Sequence, residues 1–278
     1  MHIRIWGARG SIPVSGSAFL KTGGETSCVE IRAGKTLAVV DAGTGFRSLG
    51  SRLLREKNLH LHLIMTHAHW DHTIGFPFFQ PLGKRSTRLD VYAPKLNGKS
   101  FQTVMKDLLK PPYFPIPLRG MKAVVRFHDL EETPFRIGSL RIDPVALNHP
   151  NGGMGYRFSE RGKTFVFLTD NELGVSYPKG RSFDEFRLFS DRADLLIHDA
   201  MYTPKEYGRM KGWGHSQYRD ALQLAMQAGV QRLGLFHHHP DRTDDELKAI
   251  LAECRKTVRK ARSGLDCFIA SRGMEIRL

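Results

Sequence analysis

Residues 66–75 read "THAHWDHTIG" and place His67, His69, Asp71 and His72 within six consecutive positions, directly after the apolar run "LHLIM". Each imidazole needs a hydrogen-bond partner, and a carboxylate resists burial unless it is paired or ligated. Such a cluster at the end of a buried strand calls for a counter-charge. Imidazoles and a carboxylate without any thiolate suit zinc, manganese or iron. His67 and His69 are two apart on a strand end and point to one side, while Asp71 and His72 follow where the chain must turn. Two ions close together need more ligands than these four. Further candidates end other apolar runs: His149 after "IDPVALN", Asp170 closing "TFVFLTD" and His237 after "RLGLF". A lone histidine at such a place is more often a hydrogen-bonded core or surface residue. As a set with the first cluster, these residues read as ligands gathered at one rim of a sheet.

The elements that must position them follow from periodicity. Strand-length runs recur at "HIRIW", "CVEIR", "TLAVVD", "LHLIM", "LDVYA", "AVVRF", "LRIDPVAL", "GYRF", "TFVFLTD", "DLLIHDA" and "RLGLF", bounded by Gly, Asn, Asp or charged turns. Helical patterns lie at "FRSLGSRLLREKN", "SFQTVMKDLLK", "SQYRDALQLAMQAG" and from Asp244 onward, where Thr243 and Glu246 form a capping box. Many strands with interspersed helices predict two packed sheets covered by helices, in one domain over residues 1–278, with no clear internal repeat. "LLKPPYFPIPLRG" carries four prolines and reads as part of a loop or lid inserted over residues 94–121, in which Tyr113 and Phe114 offer aromatic faces. A surface loop pinned by those aromatics fits equally.

Composition narrows the classes. The longest apolar runs fall far short of a membrane span, and "MHIRIWGARG" lacks the apolar core of a secretory signal, so a soluble cytoplasmic protein is expected. Cys28, Cys254 and Cys267 are odd in number and widely spaced with no CxxC, so neither a disulfide framework nor a cysteine zinc site is suggested. The net charge of +14 favours anionic partners and permits RNA contact, although a solubilising surface explains it as well. Lys248, Arg255, Lys256, Arg259, Lys260 and Arg262 share one C-terminal helix, a pattern usually belonging to a solvated face.

"HAHWDH" matches the HxHxDH signature of the metallo-β-lactamase superfamily. The likeness extends through "WGARGSIP", "VVDAGTG", "LNHPNGGMGYRF", "FLTDNE", "HDAMY", "GWGHS" and "LFHHHP", nearly the whole chain. Within the superfamily the chain resembles the phosphodiesterase branch, which includes tRNase Z, class II cyclic-nucleotide phosphodiesterases and cyclic-phosphate phosphodiesterases. That resemblance implies an α/β fold, the αββα sandwich of two mixed β-sheets flanked by helices, with two divalent metal ions (zinc or manganese, with iron as an option) at one edge. By position, His67, His69 and His149 would hold the first ion, Asp71, His72 and His237 the second, and Asp170 would bridge them around a shared hydroxide. Asp71 is accordingly counted with the catalytic groups. Asp41 of "VVDAGTG" would lie beneath the ions and fix a ligand imidazole; its other reading is an aspartate opening a glycine turn. His215 of "GWGHS" would protonate the leaving group, oriented by Asp199, which stands where the branch carries a glutamate. His2, His60, His62 and His128 are assigned no chemistry, and His198 a structural place.

The expected reaction is hydrolysis of a small, cyclic phosphodiester such as a cyclic nucleotide. Bacterial tRNase Z carries a tRNA-gripping arm between the third ligand histidine and the bridging aspartate; between His149 and Asp170 this chain has room only for a turn and a hairpin. RNA processing of the tRNase Z type is the alternative, and a metal-free binding relative a further one. Arg9 and Ser11 of "GARGSIP", with Tyr113 and Phe114, are candidate substrate contacts. A homodimer is compatible with the resemblance.

Overall fold

The computed structural model describes residues 1–278. Its strands are β1 (His2–Gly7), β2 (Cys28–Ala33), β3 (Thr36–Val40), β4 (His60–Ile64), β5 (Arg88–Pro94), β6 (Val124–Leu130), β7 (Phe135–Ile137), β8 (Leu140–Ala146), β9 (Met154–Glu160), β10 (Lys163–Leu168), β11 (Leu195–Asp199), β12 (Arg232–Phe236), β13 (Asp266–Ile269) and β14 (Glu275–Arg277). The helices are α1 (Thr44–Leu53), the single turn α2 (Trp70–Thr73), α3 (Phe101–Leu108), α4 (Phe183–Phe189), α5 (Pro204–Met210), α6 (Tyr218–Gln227) and α7 (Asp244–Lys260).

Continuous apolar runs such as β3 and β11 are covered on both faces, and this decides the layering. One face packs sheet against sheet through Ile31, Val40, Ile64, Phe165, Phe167 and Phe236. The outer face of the first sheet packs on α1 and α3 through Phe46, Leu49, Leu61, Leu63, Phe101 and Met105. The outer face of the second packs on α4, α6 and α7. The result is the αββα sandwich with two mixed sheets.

The sheets run in the orders β14-β1-β2-β3-β4-β5-β6 and β13-β12-β11-β10-β9-β8-β7. In the first, β14, β1, β2 and β3 pair antiparallel and β3 to β6 parallel. The second repeats the pattern, antiparallel from β7 to β10 and parallel from β10 to β13. The chain is therefore a topological duplication that no sequence period discloses. β1, β3 and β4 run the same way in one sheet, as do β8, β10, β11 and β12 in the other, and the segments following these strands carry the candidate ligands.

Two features differ from the sequence reading. Residues 94–121 form the crossover that any parallel β5–β6 pair requires, with α3 docked by Phe101, Met105 and Leu109 between a short turn at 95–100 and the proline-rich stretch that follows. The short elements β7, β13, β14, α4 and α5 carry too few periodic positions to have been read from pattern.

Candidate metal centre

The seven candidate ligands converge on two overlapping clusters, His67, His69, His149 and Asp170, and Asp71, His72, Asp170 and His237, with ligand atoms in each within 4.8 Å of one another. Asp170 belongs to both. Its Oδ1 lies 3.7 Å from His67 Nε2, 3.8 Å from His149 Nε2 and 3.2 Å from His237 Nε2, and its Oδ2 lies 3.2 Å from His72 Nε2. Asp71 Oδ2 is 3.2 Å from His72 Nε2 and 3.1 Å from His237 Nε2. Donors bonded at about 2.0–2.1 Å to one tetrahedral ion stand roughly 3.3 Å apart, so these spacings are those of a coordination shell.

Three of the five rings are aimed by their other nitrogen. Asp41 Oδ2 accepts His72 Nδ1–H at 2.7 Å, and Asp41 is itself held by Ser27 Oγ and by the Thr66 amide and hydroxyl. The Thr66 hydroxyl, donating to Asp41, accepts His67 Nδ1–H at 3.0 Å. The Gly214 carbonyl accepts His149 Nδ1–H at 2.9 Å. These partners fix the tautomers so that the Nε2 lone pairs face inward. His67 Nε2 and His72 Nε2 are buried with no hydrogen-bond partner, an arrangement costly for imidazole nitrogens unless a cation takes the lone pairs. The donor set and its orphaned nitrogens fit a pair of divalent ions.

The backbone contributes as well. Asp41, Asp170 and His237 follow β3, β10 and β12 and adopt left-handed φ of 62°, 53° and 56°, each costing a non-glycine residue on the order of 1 kcal/mol or more. Asp and His tolerate this region better than most. The turn aims each side chain across the rim instead of along the strand.

Electrostatics shows what the cluster demands. Burial opposes ionisation of Asp170, but His237, His72 and His67 outweigh it and hold the carboxyl well below the usual range. Asp71 is likewise lowered, burial being overcome by His72 and His237. Against burial, Asp71, Asp170 and Asp41 raise His72, and Asp170 with Asp71 and Asp199 pushes His237 up to about 9. His149 is taken down to about 4 by burial, with Asp170 opposing, and His67 is lowered by burial and by His72. The carboxylates draw positive charge into the cluster, and divalent cations meet that demand by displacing imidazole protons.

A second constellation borders the first. His215 Nδ1 donates to Asp199 Oδ2 at 2.8 Å, and Asp199 Oδ1 accepts the Ser216 and Met201 amides at 3.1 Å each. The shorter aspartate thus reaches its histidine. The His215 ring stacks on His237, with centroids 4.8 Å apart. His215, Ser11, His69, Trp70, Asp71, Asp170 and His237 line one pocket of about 470 Å³.

The remaining candidates divide. Ser11 lies at this pocket through its backbone, its amide donating to Asp71 Oδ2 at 2.8 Å. Arg9 does not face the pocket: it is fully buried, its guanidinium bonded to the carbonyls of Gly23, His239 and Arg242, so it ties loops together and is no phosphate contact. Tyr113 and Phe114 line an adjacent, mostly apolar cavity of about 570 Å³ with Ile74, Phe78, Leu108 and Leu109. Trp70, 73% exposed, borders both cavities. His198 is buried against Asn171 and the Asp199 carbonyl, and His238 donates to the Ala270 carbonyl.

Sequence reasoning passed over Trp70, Thr66 and Glu172. Glu172 is fully buried and accepts from Tyr177 Oη, Tyr207 Oη and the Gly212 and Gly214 amides, each at 2.8 Å. It fastens the loop whose Gly214 carbonyl holds His149. A carboxylate two residues beyond Asp170 was the available signal.

The beta-lactamase superfamily domain matches residues 37–238. Ribonuclease Z of Thermococcus sibiricus is 27% identical over 274 residues, covering 80% of this chain and 85% of that protein. The metallo-beta-lactamase fold protein YhfI from Bacillus subtilis superposes with a TM-score of 0.71 at 20% identity, over 99% of this chain and 98% of the other. A diphosphatase from the PhnP family gives 0.71 at 18%, over 100% and 97%. With the domain matched over most of its length, and two sheets meeting at a histidine-aspartate rim, the chain belongs to the beta-lactamase superfamily.

Proposed function

We propose that this metal-dependent hydrolase cleaves a small phosphodiester, such as a cyclic nucleotide, with zinc or manganese at the paired site. The observation that carries the reading is His215, backed by a buried carboxylate and opening into the same pocket as the ligand cluster. Protonating an alkoxide leaving group is a task for such a histidine, and it accompanies phosphate esters better than activated acyl groups.

His67, His69 and His149 would hold one ion, Asp71, His72 and His237 the other, with Asp170 shared. When bound, a divalent pair neutralises phosphate charge and acidifies water. The protein's own groups do the rest. Asp199 accepts His215 Nδ1–H, which stabilises the imidazolium and leaves Nε2–H to pass to the departing oxygen. The Ser11 amide steadies Asp71, and Asp41, Thr66 and the Gly214 carbonyl keep three ligand rings from rotating. Trp70, Tyr113 and Phe114 offer a wall for a planar or apolar part of the substrate.

The segment from His149 to Asp170 supports a small substrate: a loop, then β9 and β10 joined by Arg161 and Gly162, with no protruding arm. RNA processing of the ribonuclease Z kind stays as the second reading, favoured by the likeness to the Thermococcus enzyme over 80% of the chain and by the +14 charge. A panel of 2′,3′- and 3′,5′-cyclic nucleotides beside precursor tRNA, assayed with zinc or manganese, tests the choice. Opening of the mononucleotides with tRNA left intact is expected; trimming of tRNA with no action on mononucleotides overturns it. Fewer than about one ion per native chain would instead indicate a metal-free binding relative.

A further inference from the structure

Three histidines that the reaction does not use gather around one aspartate elsewhere on the first sheet. His60 and His62 belong to β4, Asp90 to β5 and His128 to β6, three adjacent parallel strands in which His62 is the register neighbour of Asp90 and Tyr92 that of His128. Residues two apart on a strand share a face, so all four side chains leave the sheet on the same side. His60 Nε2 stands 2.6 Å from Asp90 Oδ2 and His128 Nε2 2.9 Å from Asp90 Oδ1, one imidazole on each carboxylate oxygen. The His60 and His62 rings lie 4.4 Å apart, and ligand atoms of His60, His62 and Asp90 fall within 4.8 Å of one another.

The surroundings steady this arrangement. Tyr92 stacks on the His128 ring at 4.6 Å and 15°, and its hydroxyl stands 3.5 Å from His62 Nδ1. On its other side Tyr92 stacks on Phe135 of β7, which anchors the group to the inter-sheet core. The Asp90 side chain is only 12% exposed and meets imidazoles, although Arg126 is its register neighbour on β6. Two imidazoles and a carboxylate with their donor atoms together, and a third imidazole held on the carboxylate's other oxygen, are supplied by strands whose spacing the sheet holds fixed and have the chemistry of a zinc site.

We propose that His60, His62 and Asp90, with His128 steadying the carboxylate from its other oxygen, bind a third divalent ion, zinc or one of similar ligand preference, separate from the paired centre. β4 runs from His60 toward His67, seven residues on, so the two sites lie about 20 Å apart along the strand direction. The ion straps β4, β5 and β6 together and takes no part in hydrolysis.

The test uses the full chain with its paired site first filled by zinc and excess metal removed. Calorimetric titration with further zinc is expected to show one additional ion per chain and to raise the melting temperature. His62→Ala and, separately, His60→Ala should each weaken that last ion at least tenfold, leaving two retained ions and turnover unchanged. His60 is exposed enough that its loss spares the fold if His62→Ala does not. No binding beyond two ions in the wild type, or a third ion held equally by both variants, overturns the proposal. Because the readout is metal stoichiometry with turnover preserved, its failure is distinct from failure of the hydrolase reading.

Discussion

Under the proposed mechanism, His215 is the side chain whose removal would separate ion binding from proton transfer. It touches the cluster by stacking on His237 and is held by Asp199. His215→Ala is therefore expected to keep both ions and to lose about 10²- to 10⁴-fold in kcat on an alkyl phosphodiester, the range for general acid catalysis. A p-nitrophenolate leaving group needs no proton, so the same variant should lose far less on bis(p-nitrophenyl) phosphate. Equal losses on both esters, measured at equal metal content, would place His215 in binding instead. Asp41 acts one bond further back. Asp41→Asn replaces the acceptor of His72 Nδ1–H at 2.7 Å by an amide, and metal affinity should fall about 10- to 100-fold. Competition with a chelator reads this directly, and an unchanged affinity would reduce Asp41 to a turn residue.

At the scale of elements, loops between strands carry the precision. Gly214 has φ +89°, and a Cβ built there would lie only 2.1 Å from His149 Nδ1 and 2.4 Å from Pro150 Cδ. Gly214→Ala should cost more than the roughly 1 kcal/mol of an ordinary left-handed glycine, because the strain and the clash fall on one residue. Loss of an ion together with a lower melting temperature is the expected result; full metal content would show that the loop yields easily. The α5 cap gives a pH signature. Burial opposes ionisation of Glu206, but Arg242 and the Thr203 amide and hydroxyl overcome it and push the carboxyl down to about 2 from an ordinary 4.5. The native state thus binds fewer protons, so this stabilisation is present above about pH 4.5 and disappears as pH falls toward 2. Melting temperature followed over that window should drop more steeply in the wild type than in Glu206→Gln, and parallel curves would remove the Arg242 tie from the account. The same scale explains what was legible. His67, His149, Asp170 and His237 stood out because each ends a run whose apolar continuity marks a buried strand. Arg9 misled because its motif neighbours lie at the pocket, whereas three carbonyls from distant loops, invisible in sequence, capture its guanidinium. The crossover nature of residues 94–121 also depended on β5 and β6 being parallel neighbours, a pairing that local pattern does not specify.

For the whole molecule, the duplicated sheet order places Asp41 and Asp170 at matching strand ends in the two halves, after β3 and β10, each where the antiparallel part gives way to the parallel part. Asp41 accepts a hydrogen bond from the His72 ring and Asp170 belongs to both histidine-aspartate clusters, so on the proposed reading the rim is built symmetrically and used asymmetrically. The net charge of +14 is the global property that bears on substrate, because it acts through phosphates. A polynucleotide gripped at six to ten phosphates loses about 10³- to 10⁵-fold in affinity between 50 and 200 mM salt, whereas a ligand with one phosphate contact loses only about threefold to fourfold. For a small cyclic phosphodiester, kcat/KM should fall by less than about tenfold over that range. Trp70→Ala or Tyr113→Ala should raise KM with little change in kcat, since an apolar wall binds ground state and transition state alike. A steep salt dependence seen with precursor tRNA, at rates above those for mononucleotides, would instead show the basic surface and the paired centre working on one polyanion, and would put the ribonuclease reading first.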